Sequence, residues 1–184
     1  MAATSSPAAL GWPAARFDLP GVDGRRHTLE GARGPNGLLV MFICNHCPYV
    51  RAVAAKIARD AEALARLGIG SIAIMSNDAS AYPEDSFDNM KTFAAEHGFG
   101  FPYVIDESQD VARAYDAVCT PDFFGFDRDL ALAYHGRLDA SGRHSAPDAA
   151  RELFEAMSAV ARGGRAPLSQ TPSIGCSIKW RAPS

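Results

Sequence analysis

Leu38-Leu39-Val40-Met41-Phe42-Ile43-Cys44-Asn45-His46-Cys47-Pro48-Tyr49-Val50 is the stretch whose reading decides the fold. Its first six residues are a continuous apolar run. That length, bounded by Gly37, suits a strand buried on both faces. Beyond the polar break, Val50, Val53, Ala54, Ile57, Ala61, Leu64 and Leu67 recur at helical spacing, and Gly68 and Gly70 close the helix. Ser71-Ile72-Ala73-Ile74-Met75-Ser76 reads as a second buried strand. Strand, helix and strand over this length form a βαβ unit with parallel strands and a right-handed crossover.

Outward from this unit the pattern continues. Residues 17–29 read as a hairpin around the Asp23-Gly24 turn. A helix is predicted from about Ser86 to His97, with Phe87, Met90 and Phe93 or Ala94 inward. A strand over Phe101–Ile105 follows, then a short helix over Ser108–Ala117 that buries Val111, Ala112 and Tyr115. Phe123–Phe126 and Leu130–Leu138 read as an antiparallel pair joined through Asp127-Arg128-Asp129, with Phe123, Phe124 and Phe126 in the core. The last helix is expected to start near Pro147, a good first-turn residue, and to bury Leu153, Phe154, Met157 and Val160. The expected fold is an α/β sandwich, a mixed sheet with helices on both faces. Residues 1–14, rich in Ala, Ser and Pro, read as a flexible N-terminus. Residues 15–162 read as the domain and 163–184 as a loose C-terminal tail.

The bulk numbers narrow the function. A chain of 184 residues is enough for one domain with a sizeable core, and 47% hydrophobic with 21% charged residues is a globular composition. A formal net charge of −3 supplies no broad basic field for nucleic acid or an anionic membrane, so neither is an expected partner. No apolar stretch approaches the length of a spanning helix, and the first residues lack the charge and apolar run of a secretory signal. The cytosol is the default compartment. Four cysteines, Cys44, Cys47, Cys119 and Cys176, are too few for a disulfide-stapled fold of this length. In a reducing compartment a close pair points to catalysis or metal binding.

The sharpest chemical signal is Cys44-Asn45-His46-Cys47, where the buried strand hands over to the long helix. A helix N-terminus carries partial positive charge and free N–H groups. Both stabilise a thiolate, lowering thiol pKa values to roughly 3.5–7.5 in such settings. The two-residue spacer lets the thiols close a small disulfide ring. Cys44 is expected at the exposed edge of the first turn as attacking nucleophile, with Cys47 one turn in as the resolving thiol. Pro48 is tolerated in the first turn. Asn45 and His46 would tune the pair, and Tyr49 would pack beside it.

Cys44, His46 and Cys47 are also soft ligands suited to copper or zinc. The sequence has no second half-site, so further ligands would have to come from Cys119, Cys176 or a distant His. The working expectation is therefore no metal and no cofactor. His27, His97, His135 and His144 are scattered without metal spacing and read as structural. Cys119-Thr120-Pro121-Asp122 precedes a strand; Pro121 cannot donate to a sheet and belongs at a strand start or edge. Local sequence alone favours a trans bond there. Cys119 and Cys176 are candidate auxiliary thiols, with plain burial and packing as the simpler readings.

Taken together, LLVMFICNHCPYV, SIAIMSND, FPYVIDESQDVARAYDAVCTPDFFGFD and LAYHGRLD resemble the thioredoxin superfamily. They are most similar to its redoxin branch, which includes the alkyl hydroperoxide reductase/thiol-specific antioxidant (AhpC/TSA, peroxiredoxin-like) proteins and the TlpA/ResA-type oxidoreductases. The resemblance spans about Ala15 to Arg162, and the tail TPSIGCSIKW looks like a subfamily signature. It implies a thioredoxin-like three-layer sandwich with a strand–helix insertion over 101–117. It also implies a cis bond between Thr120 and Pro121, facing the dithiol, where the Thr120 backbone can pair with a substrate chain.

The implied activity is thiol–disulfide exchange on a disulfide-containing protein or small molecule, served by a redox partner. Three positions depart from the family pattern: Ile43 replaces the usual Trp, Leu38 a buried acid, and no Pro-x-x-x-Thr-x-x-Cys peroxide motif is present. With Leu38 in place of the acid, His46, Asp122 or water is left to accept the Cys47 proton. Peroxidase activity with an antioxidant role is the second reading, and a copper-binding or metallochaperone module the third.

Overall fold

The computed structural model describes residues 1–6 and 8–182. The chain opens with β1 (Ala2–Thr4), a hairpin of β2 (Asp18–Pro20) and β3 (Arg26–Thr28), and one helical turn, α1 (Leu29–Ala32). The body follows as β4 (Gly37–Phe42), α2 (Pro48–Ala65), β5 (Ile69–Met75), α3 (Phe87–Glu96), β6 (Tyr103–Ile105) and α4 (Asp110–Ala114). It closes with β7 (Cys119–Thr120), β8 (Asp122–Phe126), β9 (Leu132–Gly136), α5 (Glu152–Ala161) and β10 (Ile174–Ser177).

The main sheet runs β6-β5-β4-β8-β9. β4, β5 and β6 are parallel, while β8 and β9 are antiparallel to their neighbours. All six residues of β4 are buried, which explains its unbroken apolar sequence. Period-two alternation divides them between two apolar layers. Leu39 and Met41, with Ile43 beyond the strand end, pack with Val50, Val53, Ile57, Leu153 and Met157 from α2 and α5. Leu38, Val40 and Phe42 pack on the other face with Ile72, Ile74, Tyr115, Phe124 and Phe126. Each such side chain fully removed from water contributes about 1.5–3 kcal/mol. The result is the three-layer sandwich expected, and β6 with α4 supplies the strand–helix pair over 101–117.

Two expectations are corrected. The last helix starts at Glu152, not near Pro147. The preceding loop is tied to α2 instead: Lys56 Nζ donates to Asp139, Ser141 and the Ala146 carbonyl, and Arg151 donates to Asp60 Oδ1 at 2.6 Å. These contacts fix the loop in a non-helical path past Pro147. The chain ends are not structureless either. β1, β10 and β7 form a second, antiparallel sheet, with Ala2 opposite Cys176 and Cys176 opposite Thr120. Segments of two to four residues are too short to show periodicity and carry no strand signal of their own, and only pairing across the fold makes them strands.

Candidate active site

The parallel strands β4, β5 and β6 all end at one edge of the sheet, where ligand sites of open α/β folds gather. Sheet pairing continues one residue past β4, with Ile43 N–H donating to Ile74 O at 3.1 Å. The chain then turns through Cys44, Asn45 and His46. Cys47 is the N-cap of α2, and Pro48 occupies the first helical position, where no N–H is needed. Cys44 therefore lies three residues ahead of the cap, not on the first turn. It is also not exposed: Cys44 is 1% accessible and Cys47 0%.

The bond between Thr120 and Pro121 is cis. It brings Thr120 against both sulfurs. Cys47 Sγ lies 3.1 Å from the Thr120 carbonyl, to which it donates in its thiol form, and Cys44 Sγ lies 3.3 Å from Thr120 Oγ1. Tyr49 and Pro121 share the wall of a small cavity of about 20 Å³ with Ile174.

The two thiols share their protons unequally. Cys47 is pulled down to about 5, chiefly by the Cys44 thiol and against the cost of burial. The Cys176 thiol and the Val50 and Cys176 N–H groups add to this pull. Cys44 is pushed up by Cys47, then by burial and by the negative charge of Asp85. In the reduced pair the contact between the two thiols favours the charge on Cys47, and burial and the Asp85 carboxylate further disfavour it on Cys44.

That carboxylate is the part of the site the sequence did not disclose. Asp85, fully buried, accepts from Asn45 N–H at 2.8 Å and from Asn77 Nδ2 at 2.7 Å. Tyr103 Oη donates to Asn45 Oδ1 at 2.9 Å, and burial holds its phenol protonated. His46 Nδ1 sits 2.7 Å from Asp85 Oδ2, off the line a hydrogen bond needs. The His46 ring stacks on Tyr82, with centroids 6.0 Å apart. Asn77 was findable as the residue just beyond the second strand. Asp85, in a Pro-Glu-Asp-Ser turn, carries no local signal.

Neither candidate proton acceptor touches Cys47. His46 turns to Asp85, and Asp122 pairs with His135 Nε2 at 3.1 Å. Burial raises the Asp122 carboxyl, and its charge, with burial, pushes Cys119 up. Cys119 is buried with its sulfur 3.8 Å from Pro121 O. Cys176, by contrast, is brought to the site, half-buried opposite Thr120.

A metal would meet Cys44, His46 and Asp85, whose ligand atoms lie within 4.8 Å of one another; Cys47 is not in that set. Asp85 accepts one hydrogen bond on each oxygen, and His46 Nδ1 has no hydrogen-bond partner among the described residues. An open groove of about 240 Å³ reaches Asn45, His46 and Arg51, but neither sulfur lines it. No helix among the described residues is long and apolar enough to cross a membrane.

Comparison with known proteins agrees with this geometry. The model of the AhpC/TSA family matches residues 10–135. The crystal structure of an uncharacterised conserved protein from Geobacillus kaustophilus is 45% identical with a TM-score of 0.95, covering 100% of this chain and 98% of that one. A hypothetical protein from Sinorhizobium meliloti is 41% identical with a TM-score of 0.93, over 98% and 99% of the two chains. The thioredoxin domain of a thiol-disulfide oxidoreductase from Bacteroides vulgatus shares the fold at 17% identity, with a TM-score of 0.59 over 70% of this chain and 89% of that one. No curated protein matches the chain.

Proposed function

The chain belongs to the AhpC/TSA family, and from that premise we propose that it is a thiol–disulfide oxidoreductase in which Cys44 and Cys47 cycle between dithiol and disulfide. One observation carries the reading: both sulfurs converge on Thr120 beside the cis-proline.

The cycle follows ordinary exchange chemistry. A thiolate of the pair attacks one sulfur of a substrate disulfide, and the other substrate sulfur leaves as a thiolate. The second cysteine then attacks the mixed disulfide, releasing the remaining substrate thiolate and closing the Cys44–Cys47 bond. Two electrons pass to the substrate, and the two thiol protons leave with its sulfurs. A redox partner carrying thiols reverses the last step.

Cys44 Sγ and Cys47 Sγ are both sealed from water in the reduced chain, so a protein substrate reaches them only when a covering segment moves. Differential thiol labelling with mass mapping, after titration against a disulfide buffer, tests the reading. A reversible Cys44–Cys47 disulfide is expected; full activity on a disulfide substrate in Cys44→Ser and Cys47→Ser alike would defeat it. Peroxidase activity, the other chemistry the family name offers, is checked in stopped flow. The reading here expects peroxide to oxidise the pair no faster than a free cysteine, since the peroxide motif is missing.

A further inference from the structure

The sheet edge of β7 is the feature that the resemblance assigns to an incoming substrate strand. In this chain it is already taken. β10 pairs with it antiparallel, Cys176 opposite Thr120 and Ser177 opposite Cys119. The strap then continues across the site: Ile178 N–H donates to Val118 O at 3.0 Å, Lys179 N–H to Asn77 Oδ1 at 2.8 Å, and Arg181 N–H to Gln109 Oε1 at 2.8 Å. Asn77 thereby holds the strap with one end of its amide and Asp85 with the other. At Gly175 a Cβ would run into the Thr120 carbonyl, so glycine is what allows the strap to lie this close.

Added strands of this kind bind through main-chain hydrogen bonds and place alternate side chains in the site. Here the side chain so placed is a thiol. Cys176 stands opposite Thr120, whose carbonyl meets the Cys47 sulfur, and it packs against the same core cluster as Cys47. It is half-buried, whereas Cys44, Cys47 and Cys119 are buried. A sealed dithiol thus has a partly accessible cysteine on the strand beside it.

We propose that Cys176 is a third redox thiol, which takes over the disulfide from Cys44 and presents it at the surface to a thiol reductant. This rests on the Cys44–Cys47 cycle proposed above. In the oxidised chain the Cys176 thiolate attacks Cys47 Sγ; the Cys47–Cys176 bond forms, the Cys44–Cys47 bond breaks, and Cys44 leaves as a thiolate that takes up the proton Cys176 gave up. No electrons are gained or lost in this exchange. The external thiol reductant then attacks Cys176 Sγ, Cys47 leaves as its thiolate, and a second reductant thiol resolves the adduct and frees Cys176.

The charges run in the required order. In the reduced chain, burial and the Cys47 thiol hold Cys176 up at about 11, so it is idle. Once Cys47 is in a disulfide it carries no charge, and its share of that restraint is lifted while the share from burial stays.

Disulfide mapping by mass spectrometry after exposure to oxidised glutathione tests the relay. Wild-type protein should yield both Cys44–Cys47 and Cys47–Cys176 linkages, and Cys44→Ser should yield Cys47–Cys176 alone. Cys176→Ser should still form Cys44–Cys47, but dithiothreitol should reduce it about tenfold more slowly, since the linkage then stays sealed. A Cys44–Cys47 bond in wild type with no Cys47–Cys176 linkage in wild type or Cys44→Ser overturns the relay and leaves the oxidoreductase reading intact. Absence of Cys44–Cys47 in wild type and in Cys176→Ser overturns both. The wild-type map needs no variant to fold.

Discussion

The Cys47 sulfur lies 3.1 Å from the carbonyl oxygen of Thr120, the residue that forms the cis bond to Pro121. The same residue's hydroxyl meets Cys44. One backbone position therefore reads the state of both thiols. Replacing the hydroxyl by a methyl group in Thr120→Val removes only the Cys44 contact. A hydrogen bond of this kind is worth about 0.5–1.5 kcal/mol. Exchange with a small disulfide should slow roughly 2–10-fold by stopped-flow measurement, with the Cys47 titration little changed; an unaltered rate would show that the contact is idle.

Cys47 should titrate at about 5, seen as thiolate absorbance in the ultraviolet. Its main cause is the Cys44 thiol, so Cys44→Ala should move the midpoint up towards the ordinary thiol value, about 8.5. The sign follows directly: the charge is present above the midpoint and lost as pH falls through it, so exchange slows on acidification.

Asp85 is the hub of the buried network. In Asp85→Asn one acceptor oxygen becomes an amide donor that faces Asn45 N–H or Asn77 Nδ2. An unsatisfied buried donor costs about 1–3 kcal/mol. A matching fall in the urea midpoint is expected, along with a lower Cys44 titration because the carboxylate charge is gone.

Lys56 and Asp139 form a mostly buried pair, with side chains 11% and 2% exposed. Lys56→Met leaves the carboxylate without its partner and should cost about 3–5 kcal/mol in chemical denaturation. Burial works against the Asp139 charge, but Lys56 and Ser141 hold its carboxyl below the usual value. Its contribution to stability is present above about pH 4 and lost as pH falls through the depressed value. That acid-side loss should shrink in Lys56→Met.

Much of this was written in local pattern. The apolar run at 38–43 and the helical spacing from Val50 to Leu64 specify their elements because each buries a periodic face. The Cys-x-x-Cys motif stood out because chemistry and context coincide there. Other features were not legible, each for a physical reason. Asp85 gains its role only when a turn forty residues away in sequence folds beneath Asn45. Cys176 gains its role only through pairing with Thr120. The push on the Cys44 thiol was not legible either, since it comes from Cys47, from burial and from that same unseen carboxylate. Helix capping and strand periodicity are local; the burial of a polar network is not.

Because β1, β7 and β10 draw on residues near 2, 119 and 176, their small sheet can assemble only after residue 177 has left the ribosome. The residues of the βαβ unit that carries both paired cysteines emerge well before that. Between the two events the edge at Thr120 lacks its covering strand, and a bare strand edge invites pairing with other chains.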